Sequence, residues 1–131
     1  MDQETKVSVL KKEFDYWDST ARAYVEFDGL CVYCNMDLVG DSKRYALGVI
    51  DHLLPEAKYK SLKNQPENWI LSCAGCNFIK GDFDCLKPGE DPQDMLLNHR
   101  HELMQRVKDW FEKLYAENDE ERKRVAEIIR K

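Results

Sequence analysis

No stretch of this 131-residue chain is long and apolar enough to read as a membrane span. The opening residues MDQETKVS are polar and acidic, which argues against a secretory signal. A reducing, cytoplasmic setting is therefore the expectation. Internal repeats, low-complexity tracts and linkers are also missing, so one domain over residues 1–131 is expected. The chain lacks a basic excess. Its net charge is −5, a poor total for holding nucleic acid by charge alone. No basic stripe and no recognition helix stands out. The cysteines lack an even count: five of them argue against a fully paired disulfide framework.

What is present is concentrated in the middle. Residues 43–87 carry seven Lys/Arg against five Asp/Glu and form the only net basic segment, while residues 1–28, 29–42 and 88–131 are each net acidic. Four cysteines form two C-x2-C pairs, Cys31 with Cys34 in CVYC and Cys73 with Cys76 in CAGC. Thirty-eight residues separate the pairs. Two such turns can bring four thiolates to the corners of a tetrahedron, the geometry that holds structural zinc. A redox dithiol needs one such pair before a helix in a βαβ unit, and that pattern is not seen. Cys85 stands alone and reads as a buried, unpaired thiol.

The flanks read as helices. Residues 6–27 place Val9, Leu10, Phe14, Trp17, Ala21, Tyr24 and Val25 on one stripe. Residues 44–52 read as a strand weakened by Gly48, NWILS (68–72) as a second strand, and AGCNFIKGD as a short helix ending near Gly81. Between the strands, LLPEAKYKSLKNQPE is predicted as a loop. From residue 91 onward two helices are expected. Asp91 caps the first and Pro92 opens it. Leu96, Leu103, Val107, Trp110 and Leu114 make its apolar stripe, and Asn118 with Glu121 reads as a capping box opening the second. Trp17, Trp69 and Trp110 are expected in the core. His99 and His101 stand two residues apart on a helix and face opposite ways, which suits surface or packing roles.

Between the cysteine pairs stand DHLLP (51–55), then PENWILSCAGCN, then IKGD. Singly, each of these residues has an ordinary explanation, as a turn cap, a core histidine or a helix end. In this order, over residues 31–82, they resemble the HNH nuclease family, of the type whose ββα-metal site is nested in a four-cysteine zinc clasp. The resemblance implies an α+β fold: a ββα-metal (His-Me finger) core with a four-cysteine zinc site, flanked by N- and C-terminal helices. It implies metal-dependent cleavage of DNA, with RNA as an alternative substrate. His52 would be the general base, a role imidazole suits because it exchanges protons near neutral pH. Asp51 and Asn77 would hold a catalytic cation. Asn68 would brace the loop that aims His52, and Lys80 would meet a phosphate. Asn77 stands where the family name has His. Hard oxygen ligands favour Mg²⁺ or Mn²⁺ there, beside structural Zn²⁺ on sulfur. Lys58, Lys60 and Lys63 lie in the intervening loop, within reach of a nucleic-acid backbone. The acidic total keeps a rival open: a non-catalytic zinc module that binds protein or nucleic acid. A protein partner or a homodimer would compensate for the missing basic surface.

Overall fold

The computed structural model describes residues 1–131. Eight elements matter: α1 (Gln3–Phe14), α2 (Asp18–Glu26), α3 (Ser42–Tyr45), β1 (Gly48–His52), β2 (Trp69–Cys73), α4 (Ala74–Lys80), α5 (Pro92–Asn98) and α6 (Arg100–Ile129). β1 and β2 form a two-stranded antiparallel sheet in which Asp51 pairs with Ile70 and His52 with Trp69. α4 follows β2 directly and packs against both strands. The α+β expectation holds.

The N-terminal flank is two helices rather than one. Asp15 adopts a left-handed conformation (φ 56°) and its N–H closes on the Leu10 carbonyl, which ends α1. An aspartate tolerates that conformation better than most residues. The break undoes the single stripe: Phe14 is 62% exposed and Trp17, expected in the core, is 81% exposed. Tyr16 turns inward instead, its ring edge-on to Tyr24 at 5.7 Å. Gly48 has a steric reason at the head of β1, since a Cβ there would lie 1.9 Å from the Tyr24 hydroxyl.

The C-terminal flank divides at a different point from the one expected. Asp91 caps α5 by accepting from the Asp94 amide, with Pro92 in the first turn. The break then comes at His99, and α6 runs for 30 residues straight through Asn118. Ion pairs of Asp119 with Arg122 and Lys123, and of Arg124 with Glu127, lie along the helix surface there. Such i,i+3 and i,i+4 pairs support a continuing helix, so the capping sequence is overridden. No helix is long and apolar enough to cross a membrane.

The core lies between the sheet, the first cysteine turn and the first half of α6. Leu38, Leu53, Leu54, Ile70, Leu71, Leu96, Leu103 and Val107 are fully buried. Arg100 fastens the start of α6. It donates to the carbonyls of Glu67 and Trp69 at 2.7 and 3.1 Å and pairs with Glu26 of α2.

Candidate metal centre and active site

The first cysteine pair lies on a turn closed by the Leu30–Asp37 bridge. Cys31 N–H donates to the Met36 carbonyl, and Asn35 takes a left-handed conformation (φ 63°). The Val32 amide donates to the Leu71 carbonyl at 2.9 Å, which docks this turn on β2. The second pair straddles the start of α4. Cys73 is its N-cap, and the sulfur accepts from the Cys76 amide at 3.4 Å. One ligand atom from each of the four cysteines lies within 4.8 Å of all the others. Tetrahedral zinc with bonds of about 2.3 Å requires sulfur separations of about 3.8 Å, and Cys34 and Cys73 stand 3.8 Å apart. The four cysteines are positioned to hold a metal.

Their protonation makes the same point. The Cys31 thiol is held far below its usual range by hydrogen bonds from Cys34 and Cys76. The Cys34 thiol is pushed up to about 12, chiefly by its hydrogen bond to Cys31. Cys76 is pushed higher still, for the same reason. Four clustered thiols cannot all ionise alone, because each negative charge opposes the next. A divalent cation among them removes that conflict. The Tyr115 hydroxyl lies 3.1 Å from the Cys76 sulfur, within hydrogen-bond distance.

At the end of β1 lies a cavity of about 600 Å³, lined by Asp51, His52, Glu56, Lys60, Lys63 and Asp82 among others. His52, last in β1, places Nε2 3.0 Å from the Lys63 carbonyl. A carbonyl only accepts, so Nε2 carries the proton and Nδ1 keeps the lone pair. The Trp69 indole donates to the same oxygen at 3.0 Å, which anchors it. Glu56 stands 4.0 Å from Nδ1 and is itself paired with Lys63 at 3.2 Å.

Asn68 is fully buried. Its Oδ1 accepts from the Leu54 amide at 2.7 Å, and Nδ2 donates to the carbonyls of Leu54 and Leu62 at 3.1 and 3.3 Å. Both ends of the Leu53–Leu62 segment are thereby tied to the residue that leads into β2.

Asp51 is nearly buried and is held from two sides. The Tyr33 hydroxyl donates to Oδ2 at 2.6 Å, and the Lys80 ammonium approaches the same oxygen at 3.2 Å. Burial first, and then the Asp51 charge, push the Tyr33 phenol well above its usual range. It therefore stays a hydroxyl that donates. The Lys80 ammonium also donates to the His52 carbonyl at 2.9 Å. The expectation that Lys80 meets a phosphate is corrected here: its side chain is 0% exposed. α4 ends one residue later at Gly81, and this placement turns Lys80 under the sheet rather than toward solvent.

The structure brings Asp51, His52, Lys60 and Lys63 to one cavity. Asn77 is half-buried on α4 and does not line it. Lys58 is also outside it and stands 3.9 Å from Asp84. Sequence reading does not single out Tyr33, Tyr115, Glu56 or Asp82. For Glu56 a signal existed, a carboxylate four residues after His52. The two tyrosines carry none, since only folding brings them to Asp51 and Cys76.

Residues 31–83 match the family model for HNH endonuclease. No curated protein matches the chain.

Proposed function

We propose, from the HNH endonuclease match over residues 31–83, that this protein is a metal-dependent endonuclease that hydrolyses phosphodiester bonds of DNA, with His52 as general base. One observation carries the reading most. The His52 ring is fixed through Nε2 to the Lys63 carbonyl, so its free Nδ1 is the proton-accepting atom of the cavity. A water placed there loses a proton to Nδ1 as its oxygen attacks phosphorus, and the P–O bond to the leaving oxygen breaks. Glu56 stands beside Nδ1 at 4.0 Å. Lys60 and Lys63 supply positive charge at the rim for the phosphate backbone. Asn68 acts by bracing the loop whose Lys63 carbonyl aims the imidazole.

Two metals belong to the reading. The four thiolates of Cys31, Cys34, Cys73 and Cys76 suit structural Zn²⁺. Asp51 would hold a catalytic Mg²⁺ or Mn²⁺ through a hard oxygen, and the Asn77 amide, outside the cavity lining but on the α4 helix that packs against β1, would be its second donor. When bound, that cation offsets charge developing on the phosphate.

The test is nicking of supercoiled plasmid by the zinc-loaded chain with Mg²⁺, against His52→Ala. The expected loss is roughly 10²–10⁴-fold, the contribution of a positioned base, with zinc content and DNA affinity retained. Equal cleavage by both proteins removes His52 from the mechanism. No cleavage by either leaves the non-catalytic binding module as the correct reading.

A further inference from the structure

We propose that Lys80 makes cation binding depend on substrate: its buried ammonium occupies one oxygen and offsets the charge of Asp51, so the cation is held firmly only when a nucleic-acid phosphate supplies the missing anionic ligand. This rests on the nuclease reading and adds a positioning residue to it.

The starting observation is where the donors fall. Tyr33 and Lys80 both engage Oδ2 of Asp51. Gln65 Nε2 is the only fully buried side-chain polar atom without a hydrogen-bond partner. Asp51 Oδ1 has no partner in the protein and is therefore not fully buried, and Asp51 lines the cavity. A cation arriving there meets a single free carboxylate oxygen of Asp51. It also meets little net attraction, since the carboxylates of Asp51, Glu56 and Asp82 are matched by Lys60, Lys63 and the adjoining Lys80. Asn77, the other proposed donor, adds no charge.

Lys80 is tied to the neighbouring strand residue as well. Its ammonium bridges the His52 carbonyl and the Asp51 carboxylate. It thus locks the two adjacent residues of β1 that the mechanism uses. Rigidity of the Asp51 side chain is gained, and electrostatic pull on a dication is lost. Magnesium-type ions bound through one or two carboxylates commonly complete their shell with substrate phosphates. An undercharged single-oxygen site makes that completion a requirement, and linkage then requires that cation and nucleic acid raise each other's affinity.

The test reads Mn²⁺ binding to the zinc-loaded full chain by electron paramagnetic resonance, which needs no turnover. Three proteins are compared: the parent, Lys80→Gln, and Asp51→Asn as the blank. Glutamine keeps a donor near the His52 carbonyl and removes the charge. Lys80→Gln is expected to bind Mn²⁺ at least tenfold more tightly than the parent, the low end for repulsion between a monovalent and a divalent charge a few ångströms apart in water. Asp51→Asn is expected to show no such site. Equal or weaker binding by Lys80→Gln overturns the role of Lys80 while leaving the cation site standing. The absence of any Asp51-dependent Mn²⁺ binding in the parent and in Lys80→Gln, with a phosphorothioate DNA duplex present as well as without it, overturns the cation site, and with it the nuclease reading. If Lys80→Gln fails to fold, as read by zinc content and circular dichroism, the parent decides. Its Mn²⁺ affinity, corrected with the Asp51→Asn blank, must rise when a phosphorothioate DNA duplex is added, and an unchanged affinity overturns the proposal.

Discussion

Cys85 shows what burial does to a single side chain here. It belongs neither to the four-cysteine ligand group nor to the cavity lining, and burial pushes its thiol up to about 11. The sign follows from proton counting. An unfolded cysteine ionises near 8.5, so above that pH the unfolded chain sheds a proton that the folded one retains. The stabilising contribution of the neutral thiol is complete below about 8.5 and disappears as pH rises through 11. Urea unfolding of the zinc-loaded protein should therefore show the gap between the parent and Cys85→Ala narrowing from pH 8.5 to 11. A constant gap would mean that the thiol is not desolvated. Asn68 makes the complementary point: with no charge and no reactive atom, it fastens the loop through three hydrogen bonds.

Among the elements, α6 divides into two halves with different roles. In the first half Phe111 is fully buried between two tyrosines, with ring centres 5.1 Å from Tyr33 and 5.4 Å from Tyr115. Tyr33 bonds to Asp51 and Tyr115 contacts Cys76. One helix thus backs both the cavity and the cysteine cluster. Beyond Tyr115 nearly every side chain is exposed, Val125, Ile128 and Ile129 included. Deleting residues 119–131 should leave the thermal midpoint within a few degrees of the parent. Phe111→Ala should cost about 3–5 kcal/mol, as truncating a buried aromatic does. A large loss on deletion would show that the distal half packs against something. Helical periodicity made both halves legible as helix, because the 3.6-residue repeat is local. The break at His99 and the continuity at Asn118 were not legible, because caps compete with packing and ion pairs that local sequence does not weigh.

For the molecule as a whole, the cysteine cluster sits where the first turn, β2 and α4 meet. Only 27 of 131 residues are buried, a modest core for a chain of this length. Metal binding should therefore be a large part of folding free energy. Metal analysis should find about one zinc per chain, the content of a four-thiolate site. Strong chelation, or Cys73→Ser, should abolish the cooperative unfolding transition. A metal-free sample with the parent's helicity and melting would show that the cluster is not a folding centre.

The sequence by itself determined the chemistry available and its order. Two C-x2-C turns, Asp51-His52 at a strand end and a short helix ending at Gly81 are local features, and local spacing carries them. The Asp91 and Pro92 helix start was legible for the same reason. Tertiary structure alone decided partners. Trp17 faces solvent because Asp15 turns the chain, and the stripe that placed it inside assumed a helix without that turn. Lys80 reads as a phosphate ligand in the sequence and is an internal counter-charge in the fold. A lysine's long stem can point to water or fold under a sheet, and only the position of Asp51, 29 residues earlier, selects between them. A sequence repeat reports which side of an element is apolar. It does not report which charge from another element will meet that side, since that distance is set by the packing of the whole chain.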